Sequence, residues 1–293
     1  MTSLLGVVGH PLGHSLSVPM HMASIFTLGI DYVYLSFDIL PEDLSAAVAG
    51  FRIEGVKGIN VTIPYKEAIM PYLDSIDEHA RIIGAVNTVN NDNGKLKGYN
   101  TDGIGYIMSL KEQTGFSPLG KCVLILGAGG AARAVAFSLL EAGIGKLIIA
   151  NRSVELNMAE KLASHIKPHF PGVHVQAMPV EHLPSLPFQE LDLIVNATPV
   201  GMKHTKQQEI KELSGLLQPG HLLLRSDTVI SDVIYNPAET PLLKTARLAG
   251  LKTHNGVTML VYQGAESFKL WTGIEPPIEV MRRAVLHALE EVH

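Results

Sequence analysis

Cysteine is almost missing from this 293-residue chain. The single one, Cys122, excludes an internal disulfide framework, and its place in an apolar run makes it a small residue of a buried strand. Basic residues are not in excess: 23 Lys plus Arg stand against 28 Asp plus Glu, a net charge of −5, so no cationic stripe is available to a nucleic acid. Long apolar runs are missing as well. The stretch Leu4 to Val8 lacks a positively charged lead and is broken by Gly9 and Pro11, far short of a spanning helix, so no membrane partner is expected and a reducing cytoplasm is the expected location. No zinc-ligand spacing occurs. His10 and His14 stand four apart, but Pro11 and Gly13 between them argue against a ligand-bearing helix, and no metal is expected. The 27 Gly and 17 Pro are scattered, 46% of residues are hydrophobic and 17% charged, which sets aside collagen-like, low-complexity and disordered classes. What remains is an ordinary globular composition, long enough for about two domains of roughly 150 residues.

Short β-rich runs alternate with helical stretches, the pattern of an α/β fold with helices covering parallel sheets. The first such system reads as a strand at Leu4 to Val8, a helix from about Val18, a strand at Tyr32 to Ile39, and a helix opened by Pro41-Glu42-Asp43. A strand at Gly58 to Ile63 follows, then helices at Tyr65 to Tyr72 and Ser75 to Ile83. The turn signal Asn91-Asp92-Asn93-Gly94 predicts a hairpin between Ala85 to Asn90 and Lys95 to Tyr99. Asp102 then reads as the N-cap of a helix to about Gln113.

The second system opens on Cys122 to Leu126, apolar throughout as a strand covered on both faces requires. Gly127-Ala128-Gly129-Gly130-Ala131-Ala132 follows at once and leads into an apolar helix at Val135 to Ala142, with another strand at Lys146 to Ala150. Small residues there let the backbone turn tightly and let a pyrophosphate approach the helix N-terminal amides, so this segment predicts a dinucleotide site. At the end of the next strand a carboxylate would read the ribose 2′-hydroxyl and a cation the 2′-phosphate. The residues are Asn151-Arg152-Ser153, which favours NADP over NAD. Further strands are expected at Leu191 to Val195, Leu222 to Leu224 and Val229 to Tyr235, with Thr198 in the loop where doubly wound folds place ligands. The chain from Pro241 onward reads as mainly helical, and Gln263 within it is either a cleft residue or a solvent-facing one.

Nine motifs in order carry a resemblance. Gly13-His14-Ser15-Leu16-Ser17, Asn60-Val61-Thr62-Ile63-Pro64-Tyr65-Lys66, Gly84-Ala85-Val86-Asn87-Thr88 and Gly98-Tyr99-Asn100-Thr101-Asp102-Gly103 are followed by Gly127-Ala128-Gly129-Gly130-Ala131 and Asn151-Arg152-Ser153. Asp232-Val233-Ile234-Tyr235-Asn236-Pro237, Asn255-Gly256-Val257-Thr258-Met259-Leu260 and Tyr262-Gln263-Gly264-Ala265 complete the series. From Gly9 to about Trp271 the chain resembles the shikimate dehydrogenase family. That resemblance implies an N-terminal α/β substrate domain, a Rossmann-type dinucleotide-binding domain and a cleft between them. The expected division is 1–103 with 239–293 for substrate and 104–238 for NADP. It further implies an NADP-dependent, reversible reduction of 3-dehydroshikimate to shikimate, towards chorismate and the aromatic amino acids, by a monomer or homodimer.

Carried over by motif, Ser15, Ser17 and Tyr235 hold the substrate carboxylate, and Asn60, Thr62, Asn87, Asp102 and Gln263 its hydroxyls. Gly127, Ala128, Gly129, Gly130, Ala131, Asn151, Arg152, Ser153 and Thr198 serve the dinucleotide, while Val233, Gly256 and Met259 line its nicotinamide side. Oxidising an alcohol needs a group that exchanges a proton as hydride leaves, and Lys66 and Asp102 are the natural catalytic pair. Either could carry the proton. Two departures from the family pattern stand out. Val18 and Met22 replace the proline and asparagine of Ser-Pro-x-x-His-Asn, and Val154 to Met158 offer no second arginine near the adenosine phosphate, where Glu155 even opposes one. An NAD-using quinate/shikimate dehydrogenase is therefore the alternative within the enzyme class; a non-catalytic sensing relative is the alternative outside it, and intact Lys66 and Asp102 argue against that one.

Overall fold

The structure, a computed structural model, describes residues 2–13, 15–53, 55–202 and 224–291. The chain divides into two compact units, residues 1–105 with 260–293 and residues 106–259.

In the first unit, β1 (Ser3–Gly9) pairs in parallel with β2 (Tyr32–Asp38) and β3 (Val56–Val61). β3 pairs antiparallel with β5 (Thr88–Asp92), and β5 with β6 (Lys95–Tyr99), giving the order β2-β1-β3-β5-β6-β4 with β4 (Ser75–Ile76) at the edge. Alternation along β1 sends successive side chains to opposite faces. Val8 accordingly joins Ile59, Val61 and Ile69 in one core, while Leu5 and Val7 join Tyr34, Phe268 and Trp271 in another. The helices of this unit include α1 (Ser17–Leu28), α2 (Leu44–Gly50), α3 (Tyr65–Ala68) and α4 (Glu78–Ile83).

The helix α5 (Asp102–Thr114) leads to the second sheet, which is parallel throughout: β7 (Cys122–Leu126), β8 (Lys146–Asn151), β9 (His174–Pro179), β10 (Leu193–Asn196), β11 (Val229–Asp232) and β12 (Lys252–His254). Their order, β12-β11-β10-β7-β8-β9, is that of a dinucleotide-binding fold, with the strand order reversing between β7 and β10. Val123 and Ile125 face a core with Val135 and Leu139 of α6 (Gly130–Glu141) and Leu162 of α7 (Leu156–Ile166). Leu124 and Leu126 face the other side, with Leu242 and Leu243 of α8 (Pro241–Leu248). The remaining helices are α9 (Gly256–Thr272) and α10 (Ile278–Glu291), and α10 lies against α1. Among the described residues, no helix is long and apolar enough to cross a membrane and no cluster of His, Cys, Asp and Glu could hold a metal ion.

Several expectations need correction. The helix expected over Ser75 to Ile83 is β4 followed by α4, because Ser75 and Ile76 pair with Lys97 and Gly98 and Asp77 caps the helix by accepting from the His79 N–H at 3.1 Å. The helix expected from Val135 begins at Gly130, directly on the glycine turn. The hairpin starts at Thr88, and the strand expected to reach Tyr235 ends at Asp232. Within the region expected to be helical, Lys252–His254 is a strand on β11. That pairing moves the chain's return to the first unit from 239 to 260, since α8 and β12 pack on the second sheet. The strand expected at Leu222 to Leu224 lies outside the described residues except for Leu224, which has no regular structure.

Candidate active site

Polar residues converge at the heads of β3, β5 and α5 in the first unit. Lys66 sits on the short α3, reached directly from β3 through Thr62, Ile63 and Pro64. Its Nζ donates to Asp102 Oδ2 at 2.5 Å, and Asn87 Nδ2 donates to Asp102 Oδ1 at 2.8 Å, so the two carboxylate oxygens are held by different partners. Asp102 is the first residue of α5, and its backbone N–H donates to Asn100 Oδ1 at 3.1 Å. Its carboxylate serves Lys66 and Asn87, not the helix cap expected of it. The Lys66 side chain is 18% exposed and that of Asp102 8%, so the lysine is the less buried side chain of the pair.

The orientation of Asn87 is fixed from the other side. Its Oδ1 accepts from the Thr101 N–H at 2.8 Å and from Thr88 Oγ1 at 2.9 Å, so the amide group must point at Asp102. Gln263 lies at 3.3 Å from the same amide through Oε1, and its own Nε2 donates to Leu260 O at 2.8 Å. The question left open in the sequence is settled on the buried side, with Gln263 only 8% exposed. Gly105 allows this approach, because a Cβ there would come within 2.6 Å of the Gln263 backbone nitrogen.

Behind this layer lies a second one that sequence reasoning missed. Ser267, fully buried on α9, places its Oγ 3.0 Å from Asn60 Nδ2, 2.7 Å from Thr88 Oγ1 and 3.1 Å from Thr101 Oγ1. Asn60 Oδ1 accepts from the Tyr34 hydroxyl at 2.7 Å, so all polar atoms of this asparagine are engaged inside the protein. Tyr34 in turn stacks on His21 at 4.4 Å, and burial pushes the His21 pKa down to about 3, which keeps that ring neutral. Ser267 follows Gln263 by four positions, hence shares its helix face, and that spacing was the available signal.

The other expected substrate residues occupy the same unit with one exception. Thr62 is half-buried beyond the end of β3, and Ser15 Oγ accepts from the Ser17 N–H at 3.3 Å at the start of α1. Met22, standing where the family has asparagine, lies with Sδ 3.2 Å from the Tyr34 N–H. Tyr235 belongs to the second unit and is 38% exposed.

In the second unit, the carboxyl ends of β7 and β10 meet at the point of strand reversal. Gly127 has φ +101°, a region that excludes most side chains, and a Cβ there would sit 3.0 Å from Ala197 O. Ala128 is buried, Gly129 precedes α6, and Gly130 and Ala131 form its first turn. Apart from its chain neighbours, nothing lies within 4 Å of where a Gly129 Cβ would stand, so there is open space beside the first residue before α6, and backbone N–H donors at such a helix start fit the phosphates of a dinucleotide. Thr198 is locked by Asn196, whose Oδ1 accepts from its N–H at 3.1 Å and its hydroxyl at 2.6 Å. Asn196 Nδ2 donates to both oxygens of Asp232 at 3.1 Å, and the Thr240 hydroxyl donates to the same carboxylate at 2.7 Å. Val233 N–H donates to Asn196 O at 3.0 Å and Gly256 N–H to Ile234 O at 3.1 Å, drawing these segments together, whereas Met259 is buried in the unit's core. Beyond β8, Asn151 Oδ1 accepts from the Arg152 N–H at 3.0 Å and its Nδ2 donates to Glu155 O at 3.2 Å, so Asn151 builds the turn that presents Arg152 and Ser153.

Comparison with known proteins agrees with this organisation. Residues 7–89 match the family described as shikimate dehydrogenase substrate binding domain, residues 111–224 shikimate / quinate 5-dehydrogenase, and residues 256–286 the shikimate 5′-dehydrogenase C-terminal domain. A shikimate dehydrogenase (NADP(+)) of Methanopyrus kandleri is 46% identical over 289 residues, covering 98% of this chain and 96% of the relative. Among solved structures, the Thermus thermophilus shikimate 5-dehydrogenase in complex with NADP(H) and shikimate matches with a TM-score of 0.80 at 35% identity, covering 98% of this chain and 99% of the other. A quinate dehydrogenase of Corynebacterium glutamicum in complex with NAD matches with a TM-score of 0.85 at 32% identity, covering 98% and 99%. At such identity over nearly the full length, the chain belongs to the shikimate dehydrogenase family.

Proposed function

We propose that this protein catalyses the NADP-dependent, reversible reduction of 3-dehydroshikimate to shikimate, a step towards chorismate and the aromatic amino acids. The observation that carries the reading is the Lys66–Asp102 pair, oriented by Asn87 beside Gln263, in a family whose relatives at 46% identity are shikimate dehydrogenases. NADP, when bound, supplies or accepts the hydride. The unit of residues 1–105 and 260–293 takes the substrate and that of residues 106–259 the dinucleotide.

Within the substrate unit, Lys66 is the group that exchanges the proton. Its side chain is the less buried of the two, and one of its three N–H bonds is spent on Asp102, leaving donors for the substrate oxygen. In the reducing direction Lys66 Nζ gives a proton to the oxygen that becomes the hydroxyl; in the oxidising direction it takes that proton back. Asp102 fixes the lysine and accepts from a neighbouring substrate hydroxyl. Asn87, Gln263 and Thr62 bind the ring hydroxyls, and Ser15, Ser17 and Tyr235 bind the carboxylate. Asn60 supports the site through Ser267 and Thr88. In the dinucleotide unit, the Gly127 to Ala131 turn takes the pyrophosphate, Asn151, Arg152 and Ser153 the adenosine phosphate, and Thr198, Val233, Gly256 and Met259 the nicotinamide side. A cytoplasmic protein, acting as a monomer or homodimer without nucleic-acid or membrane partner, fits this role.

The experiment is a substrate panel. Purified protein is given NADP+ or NAD+ with shikimate or quinate, and formation of reduced nicotinamide is followed. Turnover with shikimate and NADP+ above the other three pairs supports the reading; turnover chiefly with quinate and NAD+ transfers the protein to the quinate branch of its family.

A further inference from the structure

The turn after β8 carries a feature that opposes the phosphate it is expected to bind. Glu155 grips Arg152 with both oxygens: Oε1 accepts from Nη2 at 2.7 Å and Oε2 from Nε at 3.3 Å. Glu181, on the 3-10 segment Val180–Ser185, accepts from the Ser153 hydroxyl at 2.9 Å and from the Ser153 N–H at 3.4 Å. Its own backbone N–H and the Ser153 hydroxyl hold the Glu181 carboxyl below the usual carboxylate range, so it is ionised at neutral pH. The guanidinium and the hydroxyl suited to a 2′-phosphate are thus each engaged by a carboxylate.

A ribose 2′-phosphate brings roughly 1.5 to 2 negative charges near neutral pH. To reach the forked face of Arg152 it must displace Glu155, and it then lies beside a second carboxylate. A 2′-hydroxyl meets no such conflict, since it can donate to a carboxylate at this strand end. We propose that Glu155 and Glu181 are specificity-determining residues that hold down the preference for NADP: Glu155 competes with the 2′-phosphate for Arg152, and Glu181 favours the 2′-hydroxyl of NAD. This rests on the dinucleotide reading above and goes beyond it, because it assigns the degree of cofactor discrimination to two acidic side chains. Both carboxylates are at the surface, where an ion pair is weak and the competition is a matter of several-fold.

The test substitutes the charge and keeps the shape. In Glu155→Gln and in Glu181→Gln, the ratio of kcat/KM for NADP+ over NAD+, measured with saturating shikimate, rises roughly threefold to tenfold, and further in the double variant. A ratio that stays the same or falls overturns the proposal. Calorimetric binding of adenosine 2′,5′-bisphosphate against adenosine 5′-monophosphate, on the same proteins, reads the phosphate contact without turnover. There the bisphosphate gains affinity over the monophosphate in Glu155→Gln if the proposal holds, and no gain contradicts it. A chain that binds both probes as expected but leaves shikimate unchanged overturns the functional reading and not this one.

Discussion

Asn87 hands Asp102 to Lys66: the amide donates to one carboxylate oxygen at 2.8 Å while the lysine ammonium donates to the other at 2.5 Å. The direction of the amide is set by its Oδ1, which accepts from the Thr101 N–H and from Thr88. Asp102→Asn keeps the shape but exchanges one acceptor for a donor, so it loses an anchor for the Lys66 ammonium or for the Asn87 amide. Turnover with shikimate is expected to fall about a hundredfold or more, and KM for shikimate to rise. Steady-state kinetics check this, and a variant with a normal kcat removes Asp102 from the chemistry.

Ser267 supports that arrangement without reaching the substrate. Ser267→Ala leaves Asn60 Nδ2 and the Thr88 and Thr101 hydroxyls short of a shared partner in a fully buried place, at a cost of about 1 to 3 kcal/mol. Urea unfolding should show that loss, and the kinetics should show a raised KM for shikimate with kcat changed less. Stability equal to the wild type shows that the hydroxyl is not a hub.

Asp232 makes the stability depend on pH in an unusual direction. Burial pushes its carboxyl up to about 6 against the hydrogen bonds from Thr240, Asn196 and Ile234, so the folded state holds the proton more tightly than the unfolded chain does. This group's contribution is most favourable below about pH 4 and is lost as pH rises through about 6, a change of about 3 kcal/mol. The measurement is the difference in unfolding free energy between wild type and Asp232→Asn across that window. It should fall as pH rises, and a flat difference contradicts the shift.

Arg152→Ala tests the adenosine phosphate contact itself. A charge-assisted bond to phosphate is worth about 1.5 to 3 kcal/mol, but partial occupation by Glu155 reduces what the variant loses. The expected result is a rise of roughly tenfold in KM for NADP+ with a smaller change for NAD+. Equal losses with both cofactors show that Arg152 does not read the 2′-phosphate.

Much of this was legible in the chain because it is local. The apolar run at Cys122 to Leu126, the glycine turn behind it and the strand that ends beside Arg152 declare their places in the fold within a few residues of sequence. The Lys66 and Asp102 pair was readable through motif resemblance, since 36 positions separate them and no periodicity links them. β4 and β12 escaped because two and three residues carry no alternation to detect. The unit boundary at Leu260 escaped for a different reason: it falls inside the single helix α9, where no linker composition marks a change of domain. Ser267 bonds Thr88 and Asn60 across 179 and 207 positions, contacts that only folding reveals.

The most direct test of the account is shikimate oxidation with NADP+ by wild type and by Lys66→Ala, followed through the absorbance of the reduced nicotinamide. The wild type should turn over, and the variant should lose about two or more orders of magnitude in kcat with a milder change in KM, as expected when the proton-exchanging group is removed. A Lys66→Ala protein that oxidises shikimate at the wild-type rate contradicts the mechanism at its centre.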